Sequence, residues 1–146
     1  IHLSPFAQVQ FRRLAALRSH PAWMLPNRAG DGPIDTKAIA KQVHDRQRTA
    51  PLRNRSKKTA TLMLPGGAWT PHDLRRTGAT LMGNLGVAPY VIERCLNHVE
   101  PNKLVRTYQH QQLVDEQRAA WTLLGDRLAA LTAAANVAAP PQLRAA

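Results

Sequence analysis

The sequence predicts a mainly α fold, and three observations carry that prediction. Apolar residues recur at three- and four-residue intervals, most clearly at Trp121, Leu124, Leu128 and Leu131. Ser4-Pro5 and Thr70-Pro71 each place a capping hydroxyl directly before a proline, the order favoured at a helix start. Only Thr61-Leu62-Met63-Leu64 reads as a short strand, so the expected architecture is a helical bundle with at most a short strand or hairpin.

The elements follow in order. Ser4-Pro5 opens a helix whose stripe of Phe6, Val9, Leu14 and Leu17 reaches about Arg18. Pro21 and Pro26 break it, and Asn27 to Pro33 reads as a turn-rich loop. Asp35 or Thr36 caps a second helix, with Ile39 and Val43 inward and Lys37, Lys41 and Arg46 outward. Residues 49–69 show no period, and Gly66-Gly67 reads as a turn. Thr70-Pro71 opens the strongest helix, which ends near Leu85 with Gly86 in the left-handed C′ position. Pro89 opens another, burying Val91, Ile92, Cys95 and Leu96, and Pro101 a third short one with Leu104, Val105 and Tyr108. The last helix runs from about Gln112 to Ala134, and residues 135–146, with Pro140-Pro141, read as a flexible tail.

A length of 146 residues suits one domain, here residues 1–134. The net charge is +11 and unevenly spread: residues 1–60 hold twelve Lys/Arg and three acids. Arg46, Arg48, Arg53, Arg55, Lys57 and Lys58 form the densest run, a footprint suited to a polyanion, most simply nucleic acid. The single cysteine, Cys95, excludes an internal disulfide and a cysteine-built zinc site, and reads as core. No apolar run is long enough to span a membrane, and a cytoplasmic protein is expected. The chain opens at Ile1 rather than at a methionine, which reads as a piece of something longer.

The chemistry-bearing stretch is Thr70-Pro71-His72-Asp73-Leu74-Arg75-Arg76-Thr77-Gly78-Ala79-Thr80, followed by Leu96-Asn97-His98 and, ten residues after His98, by Tyr108. With His72 at zero and about 100° per residue, Arg75 falls near 300° and Arg76 near 40°. Leu74, Gly78, Leu81 and Leu85 gather between about 180° and 240° on the same count, the side expected to face the core. His72, Arg75 and Arg76 are thereby presented at the helix's positive end, where phosphate is favoured. An arginine fork suits phosphate further, because it gives two parallel hydrogen bonds and keeps its charge. Asn97 accepts a left-handed conformation, so the chain can turn there and project His98.

His72, Arg75, His98 and Tyr108, in this order and spacing, resemble the tyrosine recombinase (phage integrase) family, with its H-x-x-R, Leu-Gly-His and nucleophilic tyrosine. The likeness continues through Thr77-Gly78-Ala79-Thr80-Leu81. His98-Val99-Glu100-Pro101-Asn102-Lys103 is most similar to integrases of phages and genomic islands. It is firm over residues 70–110, reasonable over 111–132 and loose over 1–60.

What the resemblance implies is the C-terminal part of a recombinase catalytic domain acting on double-stranded DNA for integration or excision. Tyr108 would attack a phosphodiester to give a 3′-phosphotyrosine and a free 5′-hydroxyl. Arg75 and His98 would stabilise the non-bridging oxygens, and His72 would assist proton transfer at the tyrosine. Arg76, Arg53, Arg55, Lys57, Lys58 and Lys103 are the expected DNA contacts. Neither metal nor nucleotide cofactor is implied, and other protomers of a recombinase tetramer could dock through the C-terminal helix. In cells such a protein would sit with the bacterial nucleoid when bound to DNA.

Two parts of the family pattern are not matched. An earlier arginine on a Gly-x-Arg-x-x-Glu-like helix start is not recognisable, since Arg12-Arg13 has neither the glycine before it nor the glutamate after it. The hairpin lysine is also unmatched, because Lys57 and Lys58 come too late in the chain. This chain alone is therefore expected to cleave DNA weakly or not at all. Three alternatives stand beside the recombinase. One is a non-catalytic helix-turn-helix built from Leu81–Val87 and Pro89–Leu96. The others are a degenerate integrase remnant and a helical interaction fragment using the Trp121–Leu131 seam.

Overall fold

The computed structural model describes residues 1–98 and 113–138. Five helices lie within them: α1 (Pro5–Ala16), α2 (Thr36–Arg46), α3 (Pro71–Asn84), α4 (Pro89–Cys95) and α5 (Val114–Ala138). The protein is mainly α. The short helix expected from Pro101 lies outside the described residues. The chain divides into two compact units, Arg13–Thr77 and Ile1–Arg12 with Gly78–Ala146, the divisions falling inside α1 and α3.

In the unit formed by Arg13–Thr77, polar contacts rather than an apolar core fix the chain. Asn27 to Pro33 is a tight reversal, with Asn27 N donating to Gly32 O at 2.8 Å and a bridge between Pro26 and Pro33. Asp35 caps α2, its carboxylate accepting from Lys37 N at 2.6 Å. The expected inward stripe of α2 holds only at the half-buried Val43: Ile39 is 51% exposed, Arg46 is half-buried, and the fully buried residue is Asp45. The cause is the chain that covers α2. Residues 48–62 cross only its C-terminal end, where Ala60 N donates to Arg48 O and Leu62 N to Arg46 O.

A carboxylate taken out of water needs charged or hydrogen-bonding partners. Arg55 supplies them to Asp45, through Nε at 3.0 Å to both oxygens and through a terminal nitrogen at 2.9 Å. The bond to Arg55 holds the Asp45 carboxyl below its usual range, and the same bond pushes Arg55 up. The side-chain amide of Gln47 pairs with the backbone of Trp69, accepting from its N at 2.8 Å and donating to its O at 2.7 Å. Trp69 Nε1 donates to Leu62 O at 2.9 Å. Trp69, two residues before the start of α3, is thus pinned at three atoms. The strand expected at Thr61–Leu64 does not form; only an isolated bridge joins Leu64 to Gly67 around the predicted glycine turn. Among the described residues no second extended segment lies beside it, so the run has nothing there to pair with.

In the other unit, the core is built where α3, α4 and α5 meet. Met82, Val91, Ala120 and Leu124 are buried, with Leu81, Val87, Ile92, Cys95, Trp121 and Leu128 packed around them. Complete burial of side chains such as Met82 and Leu124 is worth about 1.5–3 kcal/mol each. The expected core face of α3 holds in part: Leu81 and Gly78 turn inward, but Leu74 is 60% exposed and Leu85 37%, and the buried residue is Met82. On the seam of α5, Trp121, Leu124 and Leu128 pack as expected, but Leu131 is exposed and the centre is Ala120.

Small residues set the close approaches in this unit. Ser4 is buried against Gly125, where an added Cβ would overlap Ser4 Oγ. Ser4 Oγ also accepts from Ala7 N at 3.3 Å, the expected cap of α1. The α1 stripe is nonetheless largely open, with Val9 and Leu17 exposed. α5 continues to Ala138 rather than ending near Ala134, consistent with the high helix propensity of its alanines.

Candidate functional site

The start of α3 is a reciprocal cap. Thr70 N and Thr70 Oγ1 both donate to Asp73 Oδ2, at 2.9 and 2.8 Å, while Asp73 N reaches back to Thr70 Oγ1 at 3.4 Å. These bonds from Thr70 hold the Asp73 carboxyl below its ordinary range. Pro71 takes the first helical position, so its missing N–H costs no helical bond. The opening turn carries His72 and, at its end, Arg75, both exposed. Arg76, also exposed, lies 3.9 Å from Asp73, an i,i+3 pair of little energetic weight.

Arg75 does not stand opposite the buried face, as the helical wheel had placed it. At about 100° per residue, Arg75, Ala79 and Met82 lie on one stripe of α3. Arg75 is the exposed member, one turn before the half-buried Ala79 and two before the buried Met82. The chain therefore brings His72, Arg75 and Arg76 onto one helical segment, with the rest of the helix anchored by its C-terminal half. That anchor ends in the predicted glycine turn: Gly86 has φ of 83°, Gly86 N donates to Gly83 O and Val87 N to Met82 O.

His98 is placed by the same device at the end of α4. Asn97 adopts a φ of 53°, Asn97 N donates to Arg94 O, and His98 N donates to Glu93 O, each at 3.0 Å. The turn leaves the His98 ring about half exposed, with Nδ1 at 2.5 Å from Glu93 Oε2. Glu93 was not singled out from the sequence. The signal was present, because a left-handed C′ residue brings the residue after it back beside the one four positions before C′.

Two further sequence candidates, Tyr108 and Lys103, lie outside the described residues. In the basic loop, Arg53, Lys57 and Lys58 are exposed, whereas Arg55 is committed to Asp45. Its role there is to hold the loop, and the cations it presents are its neighbours. Burial pushes the half-buried Cys95 thiol up, away from thiolate chemistry. The outward side of α4 carries Tyr90 and Glu93, a poor surface for entering a DNA groove. Among the described residues no cluster of His, Cys, Asp or Glu could hold a metal ion, and no helix is long and apolar enough to cross a membrane.

No family model, curated protein or solved structure matches this chain. The functional reading therefore rests on the residues and their geometry. Each unit contributes its own features: an exposed arginine and histidine at a capped helix start within Arg13–Thr77, and a histidine held by a carboxylate at the end of α4 in the other.

Proposed function

We propose that this chain is the C-terminal part of a tyrosine recombinase catalytic domain, a DNA strand transferase. The observation that carries the reading is the first turn of α3, where the Thr70–Asp73 cap presents His72 and Arg75 to solvent. His98, projected by the Asn97 turn, supports it.

Tyr108 Oη attacks phosphorus and the 5′-oxygen leaves, so the strand end is kept as a 3′-phosphotyrosine. Attack by the 5′-hydroxyl of a partner strand reverses the step and completes the exchange. The bond energy is conserved, so no nucleotide is consumed. A phenol with a pKa of about 10 is a weak nucleophile at neutral pH and needs help losing its proton. His72 takes part in that transfer. Arg75 forms two parallel hydrogen bonds to the non-bridging oxygens, and His98 shares the growing charge. Arg76, Arg53, Lys57, Lys58 and Lys103 serve the DNA backbone, a role that makes affinity fall steeply with salt.

A nicked suicide duplex, whose cleaved end diffuses away, tests the reading on a denaturing gel. The expected result is a slow covalent protein–DNA species that Tyr108→Phe abolishes, slow because the upstream arginine and hairpin lysine are unmatched. A DNA-bound chain in which Tyr108→Phe changes nothing would leave a binding module in its place.

A further inference from the structure

We infer that Glu93 is a positioning residue that fixes His98 in its Nδ1–H form, so that Nε2 is the nitrogen presented to a phosphate oxygen. The inference rests on the recombinase reading for what Nε2 meets, and on the geometry of α4 for how the ring is held.

Three constraints converge on His98. The φ of 53° at Asn97 reverses the chain, and the bond from His98 N to Glu93 O fixes the backbone. The ring then meets the Glu93 carboxylate through Nδ1 at 2.5 Å. An ionised carboxylate can only accept a hydrogen bond, so the proton between the two groups belongs to Nδ1. Neutral His98 therefore carries its lone pair on Nε2, and protonated His98 carries a second N–H there. In either state the outward chemistry passes through one atom. Glu93 is 60% and His98 46% exposed, so the pair contributes little to stability. Its consequence is the choice of tautomer and the orientation of the ring, as a carboxylate does for a catalytic or metal-bound histidine.

The test is long-range proton–nitrogen spectroscopy of the chain with nitrogen-labelled histidine rings at pH 8, His98 being assigned by its loss in His98→Gln. The wild-type chain is expected to show His98 as Nδ1–H. Glu93→Gln should keep that form, because the amide oxygen accepts the same bond, whereas Glu93→Ala should shift His98 toward the Nε2–H form. Since Glu93 is exposed, all variants should retain their helical circular dichroism. An Nε2–H ring in the wild type, or an unchanged Nδ1–H ring in Glu93→Ala, overturns the inference. Adding a duplex DNA then separates the two claims. A His98 held as Nδ1–H whose Nε2 signal ignores DNA counts against the recombinase reading and leaves the Glu93 assignment standing.

Discussion

Replacing Gly125 by alanine should destabilise the chain, although alanine is the better helix former. Gly125 lies in the interior of α5, where the substitution alone would gain about 0.5–1 kcal/mol. The new Cβ would overlap Ser4 Oγ and stand 2.6 Å from Ser4 Cβ. Ordinary carbon contacts are about 3.5–4.0 Å, so a gap of about 1 Å must be opened between the N-terminal segment and the helix. Such overpacking costs about 1–3 kcal/mol, leaving a net loss of about 1 kcal/mol. Urea unfolding at 25 °C should show a lower midpoint with an unchanged slope. In a Ser4→Gly background the obstructing atoms are gone, and Gly125→Ala should then stabilise by about 0.5–1 kcal/mol. A rise in wild-type stability, or strict additivity of the two substitutions, would refute the close packing of Ser4 on α5.

Asn97 should tolerate glycine within a few tenths of a kcal/mol, whereas Asn97→Val should cost about 1–2 kcal/mol by thermal unfolding, because a β-branched residue resists the left-handed conformation. Acid should unfold the chain through Asp45 and Asp73. Their folded pKa values are depressed, so their stabilisation is complete above the unfolded value of about 4 and is lost as pH falls through the folded ones. Urea midpoints should therefore hold near neutral pH and drop below about pH 4, and Asp45→Asn should flatten that drop. Arg53→Ala should lower the salt slope of DNA binding by about one. Arg55→Ala should instead speed hydrogen exchange at the Ala60 and Leu62 amides, whose bonds close the loop over α2.

The helix ends were the most legible part of the chain, because capping is local chemistry. Thr70-Pro71, Gly86, Pro89 and Asn97 each fix a backbone feature with residues no more than a few positions apart. Which faces are buried was harder to read. Leu74 and Leu85 are more hydrophobic than Gly78 or Ala79, yet burial on α3 is decided by where α4 and α5 touch it, and that is at Met82. Ala120 and Gly125 matter for being small, which a pattern built on large apolar residues passes over. Asp45 was hidden for a different reason. A charged side chain is expected outside, and its partner Arg55 lies ten residues on, across a loop without periodicity. His72, Arg75 and His98 were singled out by the motif they share with the recombinase family, whereas the carboxylate that holds His98 emerged only with the turn that brings it close.

The central claim is that Tyr108 is a nucleophile toward DNA phosphorus, assisted by Arg75 and His98. An oligonucleotide duplex pool of randomised sequence, ending in a 3′-p-nitrophenyl phosphate, tests it most directly. Nitrophenolate leaves without being protonated, so no general acid is required for that step. Digestion and mass spectrometry should find the nucleotide on the peptide containing Tyr108, absent in Tyr108→Phe and strongly reduced in Arg75→Ala and His98→Ala. An adduct on another residue, or one on Tyr108 that is indifferent to both Arg75 and His98, would contradict the account.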